Sequence, residues 1–438
     1  MRSAAEVVET GAVVALTHEG EGIVRDGKTA FVAGALPGER IEFTRRRTHR
    51  QHDEAELLRV VEPSGSRVVP RCPHFGVCGG CALQHLEPAA QLAAKQLEML
   101  EALQRVGRAE PERWLEPLDG PAWGYRRRAR LGAKYVTKKG RVVVGFRERA
   151  KPYVAELASC AILEPRAGEL IQPLAEMIMR LSIRQQLPQI EVAVADATVA
   201  LVLRVLQPPS AADLEELSRF EDVHRVSILL QPAGPDSITP LRPPGAVLEY
   251  RLAPWDIRLR FEATDFVQIN AHINERLVTR AIELLQLDAH SRVLDLFCGL
   301  GNFTLPIARC AGAVVGVEGE ARLVARAREN AQRNGIGNAT FHTANLEQPE
   351  PAASAWLAGP YTHVLLDPPR IGAAPMIPHL ARLGAARIVY ISCHPGSLAR
   401  DLGALVHEHG YRLSAAGVVD MFPHTTHVES IAVLERDA

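Results

Sequence analysis

Arg292-Val-Leu-Asp-Leu-Phe-Cys-Gly-Leu-Gly-Asn-Phe-Thr304 reads as an apolar strand, a glycine-rich turn and the opening of a helix. Gly299 and Gly301 let the backbone turn tightly and approach a ligand, and the helix that follows begins with N–H groups that have no intrahelical partner. About twenty residues on, Ala313-Val-Val-Gly-Val is a second apolar strand ending in Glu318, whose carboxylate can accept both hydroxyls of a ribose. From Asn274 onward, further apolar runs (His363 to Leu366, Arg387 to Ile391) alternate with helical stretches. That alternation predicts an open α/β sheet of the Rossmann-like, class I kind with crossover helices.

Such a loop suits either NAD or S-adenosylmethionine. Three details favour the latter. Asp295 ends the strand before the glycines, where an acid can sit near a methionine ammonium. Thr304 stands where a dinucleotide fingerprint has its third glycine. Asp367-Pro368-Pro369 follows a later strand, the place of an acidic or amide residue near a transferred methyl group.

Tyr390-Ile-Ser-Cys-His-Pro395 also follows an apolar strand and precedes a helix over Gly396 to Val406, so Cys393 is expected at the C-terminal edge of the sheet, where α/β clefts open. A nearby helix N-terminus is expected to lower the thiol pKa. Phe422-Pro-His-Thr-Thr-His-Val-Glu-Ser430 places Glu429 next to the terminal apolar strand, Ile431 to Leu434. A thiolate and a carboxylate suit methylation of uracil at carbon 5. Addition of sulfur to carbon 6 makes carbon 5 nucleophilic, and a base must later remove the carbon 5 proton. Cys393 is the candidate nucleophile and Glu429 the candidate base, with Asp367 binding the uracil edge or positioning the cofactor.

Upstream, short strands punctuated by Gly20, Gly27, Gly34, Pro37 and Gly38 suggest a small β-barrel over residues 1–66. Residues 67–262 form a second region and 263–438 the α/β domain. Gln91 to Gly107 carries Leu92, Leu97, Leu100, Leu103 and Val106 at helical spacing, and the segment 91–120 is expected to pack on the third domain. Trp123 to about Arg260 alternates as strands of an antiparallel sheet do. Cys72-x5-Cys78-x2-Cys81 has metal-site spacing, and Cys160 is the natural fourth ligand. Zinc and a [4Fe–4S] cluster both accept four thiolates, and His74 and His85 keep zinc open.

The chain has 438 residues, 47% hydrophobic and 23% charged, an ordinary composition for a folded chain of two or three domains. Its seven cysteines are read as ligands, nucleophiles or core residues rather than disulfides. Met1 to Gly20 shows no signal peptide, and the longest apolar run, Val192 to Leu206, is broken by Asp196 and Arg204. A cytoplasmic protein with no membrane partner is expected. The net charge of −1 hides segregation: Pro121 to Lys151 holds eleven Lys or Arg against one acid, Glu148. A smaller cluster is Arg45, Arg46, Arg47 and Arg50. Arginines outnumber lysines 44 to 6, yet four of the six lysines lie in Lys134 to Lys151. Such a field suits a polyphosphate partner.

In order along the chain, RCPHFGVCGGC, DLFCGLGNF, LLDPPR, SCHPGSLARD and FPHTTHVES resemble the motifs of the RNA (uracil-5-)-methyltransferases, especially the members that act on 23S ribosomal RNA. The resemblance covers nearly the whole chain. It implies a TRAM-like, OB-like barrel at the N-terminus, a central α+β RNA-binding domain carrying a [4Fe–4S] cluster, and a methyltransferase domain. By motif position, Cys72, Cys78, Cys81 and Cys160 would hold the cluster. Gln268, Phe297, Asn302, Glu318, Asn345 and Asp367 would hold S-adenosylmethionine. Cys393 matches the nucleophile and Glu429 the base. The family usually has Asn after the nucleophile; here it is His394, a residue that could pair with the thiolate or alter its pKa. The target uridine would be flipped into the pocket, the RNA partner being 23S ribosomal RNA and the enzyme a monomer.

Rival readings are the same chemistry on another ribosomal uridine or on transfer RNA, an NAD-dependent oxidoreductase that makes no use of Cys393, and a non-catalytic RNA-binding protein.

Overall fold

In the computed structural model, which describes residues 7–349 and 355–436, two compact units are distinguished. Residues 1–6, where the stretch scanned for a leader begins, lie outside the description. No described helix is long and apolar enough to cross a membrane.

The first unit comprises residues 1–98, 146–155 and 422–427. Strands β1 (Glu9–Leu16), β2 (Glu21–Val24), β3 (Ala30–Ala33), β4 (Arg40–Thr48) and β5 (Asp53–Glu62) close a barrel in the order β1-β2-β3-β5-β4, as the turn-punctuated sequence predicts. Alternation points Val13, Val24, Val32, Ile41 and Phe43 into its core. Closure leaves no unpaired strand edge. The basic cluster of β4 is partly ion-paired, with Arg45 half-buried and Arg46 and Arg47 exposed. Arg45 bridges Glu9 and Asp53 at 2.9 and 2.8 Å, and Arg46 reaches Glu56 at 2.6 Å.

Helix α1 (Pro88–Ala102) runs into a π-helical turn, Leu103–Gly107, as the leucine spacing predicts in outline. The buried stripe differs from the expected one. Gln91, Lys95, Met99 and Leu103 are buried, whereas Leu97 and Val106 are each 54% exposed. The reason is polar. Gln91 Nε2 donates to the carbonyls of Leu83 and Leu86, and Lys95 Nζ donates to that of Phe422, so two hydrophilic side chains are worth burying.

The second unit holds two larger sheets. After β6 (Arg113–Trp114) come β7 (Arg128–Val136), β8 (Arg141–Gly145), β9 (Gln189–Val194), β10 (Val199–Arg204), β11 (Val226–Gln231) and β12 (Thr239–Pro240), with α2 (Pro165–Gly168), α3 (Ile171–Arg180) and α4 (Ala211–His224) between them. The sheet order is β12-β11-β10-β9-β7-β8. The expected all-antiparallel pattern is corrected at one pair: β10 and β11 run parallel, because α4 carries the chain back between them. Ser210 and Asp213 start α4 with a capping box, Ser210 Oγ accepting from Asp213 N–H and Asp213 Oδ2 from Ser210 N–H. The basic stretch on β7 and β8 is partly neutralised by its neighbours. Arg127 meets Asp196 at 2.6 Å, Arg130 meets Glu191 at 3.0 Å, and Lys139 and Arg141 share Glu156 at 2.7 Å.

A hairpin, β13 (Leu248–Leu252) and β14 (Ile257–Phe261), leads to α5 (Ala271–Leu285). The α/β sheet follows: β15 (Arg292–Leu296), α6 (Thr304–Ala308), β16 (Ala313–Glu318), α7 (Ala321–Arg333), β17 (Ala339–Thr343), β18 (His363–Leu366), α8 (Ile377–Leu383), β19 (Arg387–Ser392), α9 (Pro395–His409), β20 (Arg412–Val419) and β21 (Glu429–Glu435). Its order is β17-β16-β15-β18-β19-β21-β20-β6. Strands β15 to β19 are parallel, and β21 runs against β19 and β20. Consecutive strands depart to opposite sides of β15, and that reversal opens a crevice at the strands' C-terminal ends. The π-helical turn packs on α9 so closely that Gly107 and Gly403 meet backbone to backbone.

Candidate active site

The crevice is built by register. Leu296 pairs with Leu366, and Leu366 with Tyr390, so Phe297, Asp367 and Ile391 stand at one level, where β15 and β18 end and β19 runs one residue further. Antiparallel β21 brings Ser430 opposite Ser392, which sets Glu429 and Cys393 at adjoining positions on the same edge. Residues far apart in the chain therefore converge: Gln268, Phe297, Glu318, Asp367, Cys393 and Glu429 belong to the ends of strands of one sheet or to the loop leading into α5.

In the glycine-rich turn, Phe297 adopts a left-handed φ of +64°, a conformation that costs energy for a large side chain and is found where function demands it. Gly299 has φ of +55°, and nothing lies within 4 Å of the place a Cβ would occupy there, so the backbone faces open space. Glu318, at the end of β16, accepts the Gly299 N–H through Oε2 and the Glu320 N–H through Oε1, each at 3.1 Å. Asn302 is anchored. Its Oδ1 accepts from the Tyr250 hydroxyl and from Asn274, and its Nδ2 donates to Asn274 Oδ1, all at 2.9 Å. Asn345, beyond β17, is exposed and accepts the Glu347 N–H.

Asp295 is wholly buried. Thr304 Oγ1 donates to its Oδ2 at 2.5 Å, while Oδ1 has no hydrogen-bond partner among the described residues. Lost solvation, with Asp367 and Glu318 nearby, pushes its carboxyl up to about 7. Asp367 is also pushed up to about 7 by burial, against a 3.4 Å hydrogen bond from Gln268 Nε2. Glu429 is 2% exposed, and burial together with Asp367 raises it well above the usual carboxylate range. A buried, empty-handed Asp295 Oδ1, an open glycine turn and a strand-end Glu318 are what a cationic amino-acid group and a ribose would need.

The thiol departs from expectation. Burial, then the Glu429 and Asp367 carboxylates, push Cys393 up to about 11, and Arg370 only partly opposes them. The helix behind it offers little relief, because His394 Nδ1 accepts the Ser397 N–H at 3.1 Å and thereby caps α9. His394 thus serves the helix, and an Asn in its place would supply an equivalent acceptor. Ser397 Oγ in turn donates to the carbonyl of Arg370 at 2.8 Å, tying the Asp-Pro-Pro loop to the cysteine turn. Tyr390 and the Ala373 N–H both donate to Asp401 Oδ2 at 2.7 Å and fasten that loop again. Asn274 and Tyr250 lie outside every motif, and Arg370, Ser397 and Asp401 lie inside motifs that gave them no role. Only the polar identity of Asn274 inside an apolar helical face hinted at a role.

Cys72, Cys78 and Cys81 share one loop of the first unit; Cys160 belongs to the second. All four are half-buried, and none is in a disulfide. Gly80 N–H donates to Cys78 Sγ at 3.4 Å. Among the described residues, no three His, Cys, Asp or Glu side chains are gathered as a metal site, so no chemical step is assigned to a metal.

Comparison with known proteins adds the context. Residues 248–353 and 358–437 match the tRNA (Uracil-5-)-methyltransferase family model. The chain is 51% identical over 98% of its length to the 23S rRNA (uracil(1939)-C(5))-methyltransferase RlmD of Alkalilimnicola ehrlichii, covering 96% of that protein. It is 49% identical to the Methylococcus capsulatus protein of the same name, over 97% of this chain and 96% of that one. The crystal structure of Pyrococcus abyssi tRNA (uracil-54, C5)-methyltransferase in complex with S-adenosyl-L-homocysteine superposes with a TM-score of 0.76 at 23% identity, covering 97% of this chain and 100% of that one, a likeness of fold. Sharing half its residues with such relatives from end to end, the chain belongs to the RNA (uracil-5-)-methyltransferase family.

Proposed function

We propose that this protein transfers a methyl group from S-adenosylmethionine to carbon 5 of a uridine in 23S ribosomal RNA, through a covalent bond between Cys393 and carbon 6. The observation that carries the reading is the register of β19 against β21, which sets Cys393 and Glu429 side by side at the sheet edge where Asp367 also ends. Uracil 1939, named for the relatives, is the target to test first.

S-adenosylmethionine, when bound, supplies an electrophilic methyl on a sulfonium cation. Glu318 would bind its ribose, Asp295 and the Gly299 turn its amino-acid end, and Phe297, Asn345, Gln268 and Asp367 the rest of its outline, with anchored Asn302 holding the turn in shape. Cys393 gives its proton to water, the thiolate adds to carbon 6 of the flipped uracil, and the electron pair of the 5,6 double bond becomes available at carbon 5. Carbon 5 takes the methyl, leaving S-adenosylhomocysteine. Glu429 removes the carbon 5 proton, the carbon–sulfur bond at carbon 6 breaks, and the thiolate is released. Glu429 must be a carboxylate at that moment, against the burial that raises its pKa. The cofactor's sulfonium charge would favour that ionisation on binding, before the methyl leaves, as an opposite charge lowers an acid's pKa.

The [4Fe–4S] cluster on Cys72, Cys78, Cys81 and Cys160 is likewise proposed. Motif spacing supports it, as do the half-buried thiolate donors and the Gly80 N–H on Cys78 sulfur, a bond of the kind that tunes cluster thiolates. Iron and sulfide content of anaerobically purified protein tests it; a chain with zinc or no metal refutes it. For the chemistry, RNA containing 5-fluorouridine should trap an adduct, because carbon 5 then has no proton to lose. Cys393→Ala should abolish the adduct, and Glu429→Gln should accumulate methylated adduct on natural RNA. Parent protein that methylates transfer RNA and leaves 23S RNA untouched would overturn the substrate.

A further inference from the structure

On one face of β10 and β11, the parallel register sets Ala200 beside Ser227. Two small side chains at one level leave a hollow of about 280 Å³, with buried Ala263 completing its floor. Pro235, Pro240 and Pro244 wall it with rigid apolar rings. At the small end of ligand-site volumes, such a slot has room for one planar heterocycle. Its rim carries Asp236 and Glu262, both exposed, and Arg322. The Asp236 carboxylate repels a phosphate and accepts N–H donors, whereas Glu262 is paired with Arg326 at 3.1 Å and Arg322 with Glu320 at 3.4 Å.

The hollow's lining is joined through the chain to the catalytic crevice. Glu262, Ala263 and Thr264 lead directly to Phe266, which is 69% exposed, and to Gln268, which bonds Asp367. Four residues span at most about 14 Å, within reach of a nucleotide one or two places from the target. The Arg128 guanidinium donates to the Ala263 carbonyl and fixes this rim.

We propose that the hollow receives a nucleobase bearing an exocyclic amino group, from a nucleotide flanking the target uridine. The inference rests on the methyltransferase reading above and adds a second base-binding site to it. The test uses the full chain, S-adenosylmethionine and a 23S RNA fragment, either intact or abasic at one of the two nucleotides on each side of the target. Ser227→Leu fills the floor, and Asp236→Asn removes a rim acceptor without touching the core. On intact RNA, Ser227→Leu should lose about tenfold in kcat/KM, within the range that base stacking supports, and Asp236→Asn about threefold. S-adenosylmethionine affinity by calorimetry should stay at the parent value in both. One abasic position should cost the parent the same tenfold and cost Ser227→Leu nothing further. Parent-like kcat/KM in both variants, or losses that multiply at every abasic position, would overturn the pocket; a parent that forms no 5-methyluridine would instead overturn the underlying function.

Discussion

Held up to about 11, the Cys393 thiol carries about a hundredfold less thiolate than an ordinary cysteine at the same pH, since each pH unit is a factor of ten. The resting enzyme is therefore expected to be sluggish toward alkylating agents. The assay is iodoacetamide modification of cofactor-free protein, read by mass spectrometry on the peptide that contains Cys393, because Cys72, Cys78, Cys81, Cys160 and Cys310 are also partly accessible. The logarithm of the rate should climb with unit slope from pH 7 to 10 and show no plateau. Glu429→Gln removes the carboxylate that ranks next after burial in raising the thiol, so it should react several-fold faster at pH 9. A plateau beginning near pH 8.5 in the parent, or no effect of Glu429→Gln, would refute the idea that burial and facing carboxylates keep this sulfur protonated until substrates arrive.

Other outcomes follow from the same geometry. Asp295 binds its proton more tightly folded than unfolded, so its contribution to stability is fully present below about pH 4 and is lost as pH rises to about 7. Asp295→Asn should accordingly melt a few degrees higher than the parent at pH 8, melt with it at pH 4, and fail to bind S-adenosylmethionine in calorimetry; a lower melting point at pH 8 contradicts this. Lys134 and Lys138 are exposed and make no ion pair among the described residues. Replacing both with Ala should lower the salt dependence of RNA binding by about two counterions, whereas Arg127→Ala, which breaks the 2.6 Å pair with Asp196, should also lower thermal stability. His394→Asn should retain kcat because it still caps α9, and His394→Ala should lower it; equal loss in both points to chemistry at the imidazole.

Much of this was legible in the residues. The glycine turn, the Asp-Pro-Pro strand end and the Ser-Cys-His-Pro turn each declare a strand that stops where a cleft opens, and five short strands between glycines declare a barrel. Three things were not legible. The pairing of β19 with β21 depends on a non-local register that brings Glu429 to Cys393. The thiol's pKa depends on which charges face it, and proximity in sequence to a helix start said nothing of His394 consuming that helix's donor. Ion pairs such as Arg130 with Glu191 join strands 61 residues apart in sequence, so a count of charges along the chain overstated the bare basic surface. By contrast, helix α4 could have been read, because Ser210-Ala-Ala-Asp213 is a capping box.

The most direct test is to incubate purified protein with unmethylated 23S ribosomal RNA and S-adenosylmethionine carrying a heavy-isotope methyl group, then to map the label by mass spectrometry. Label is expected in a single 5-methyluridine with the parent protein and nowhere with Cys393→Ser. Label at carbon 5 with the serine variant at the parent's rate, or label on an atom other than carbon 5, would contradict a mechanism that begins with sulfur adding to the ring.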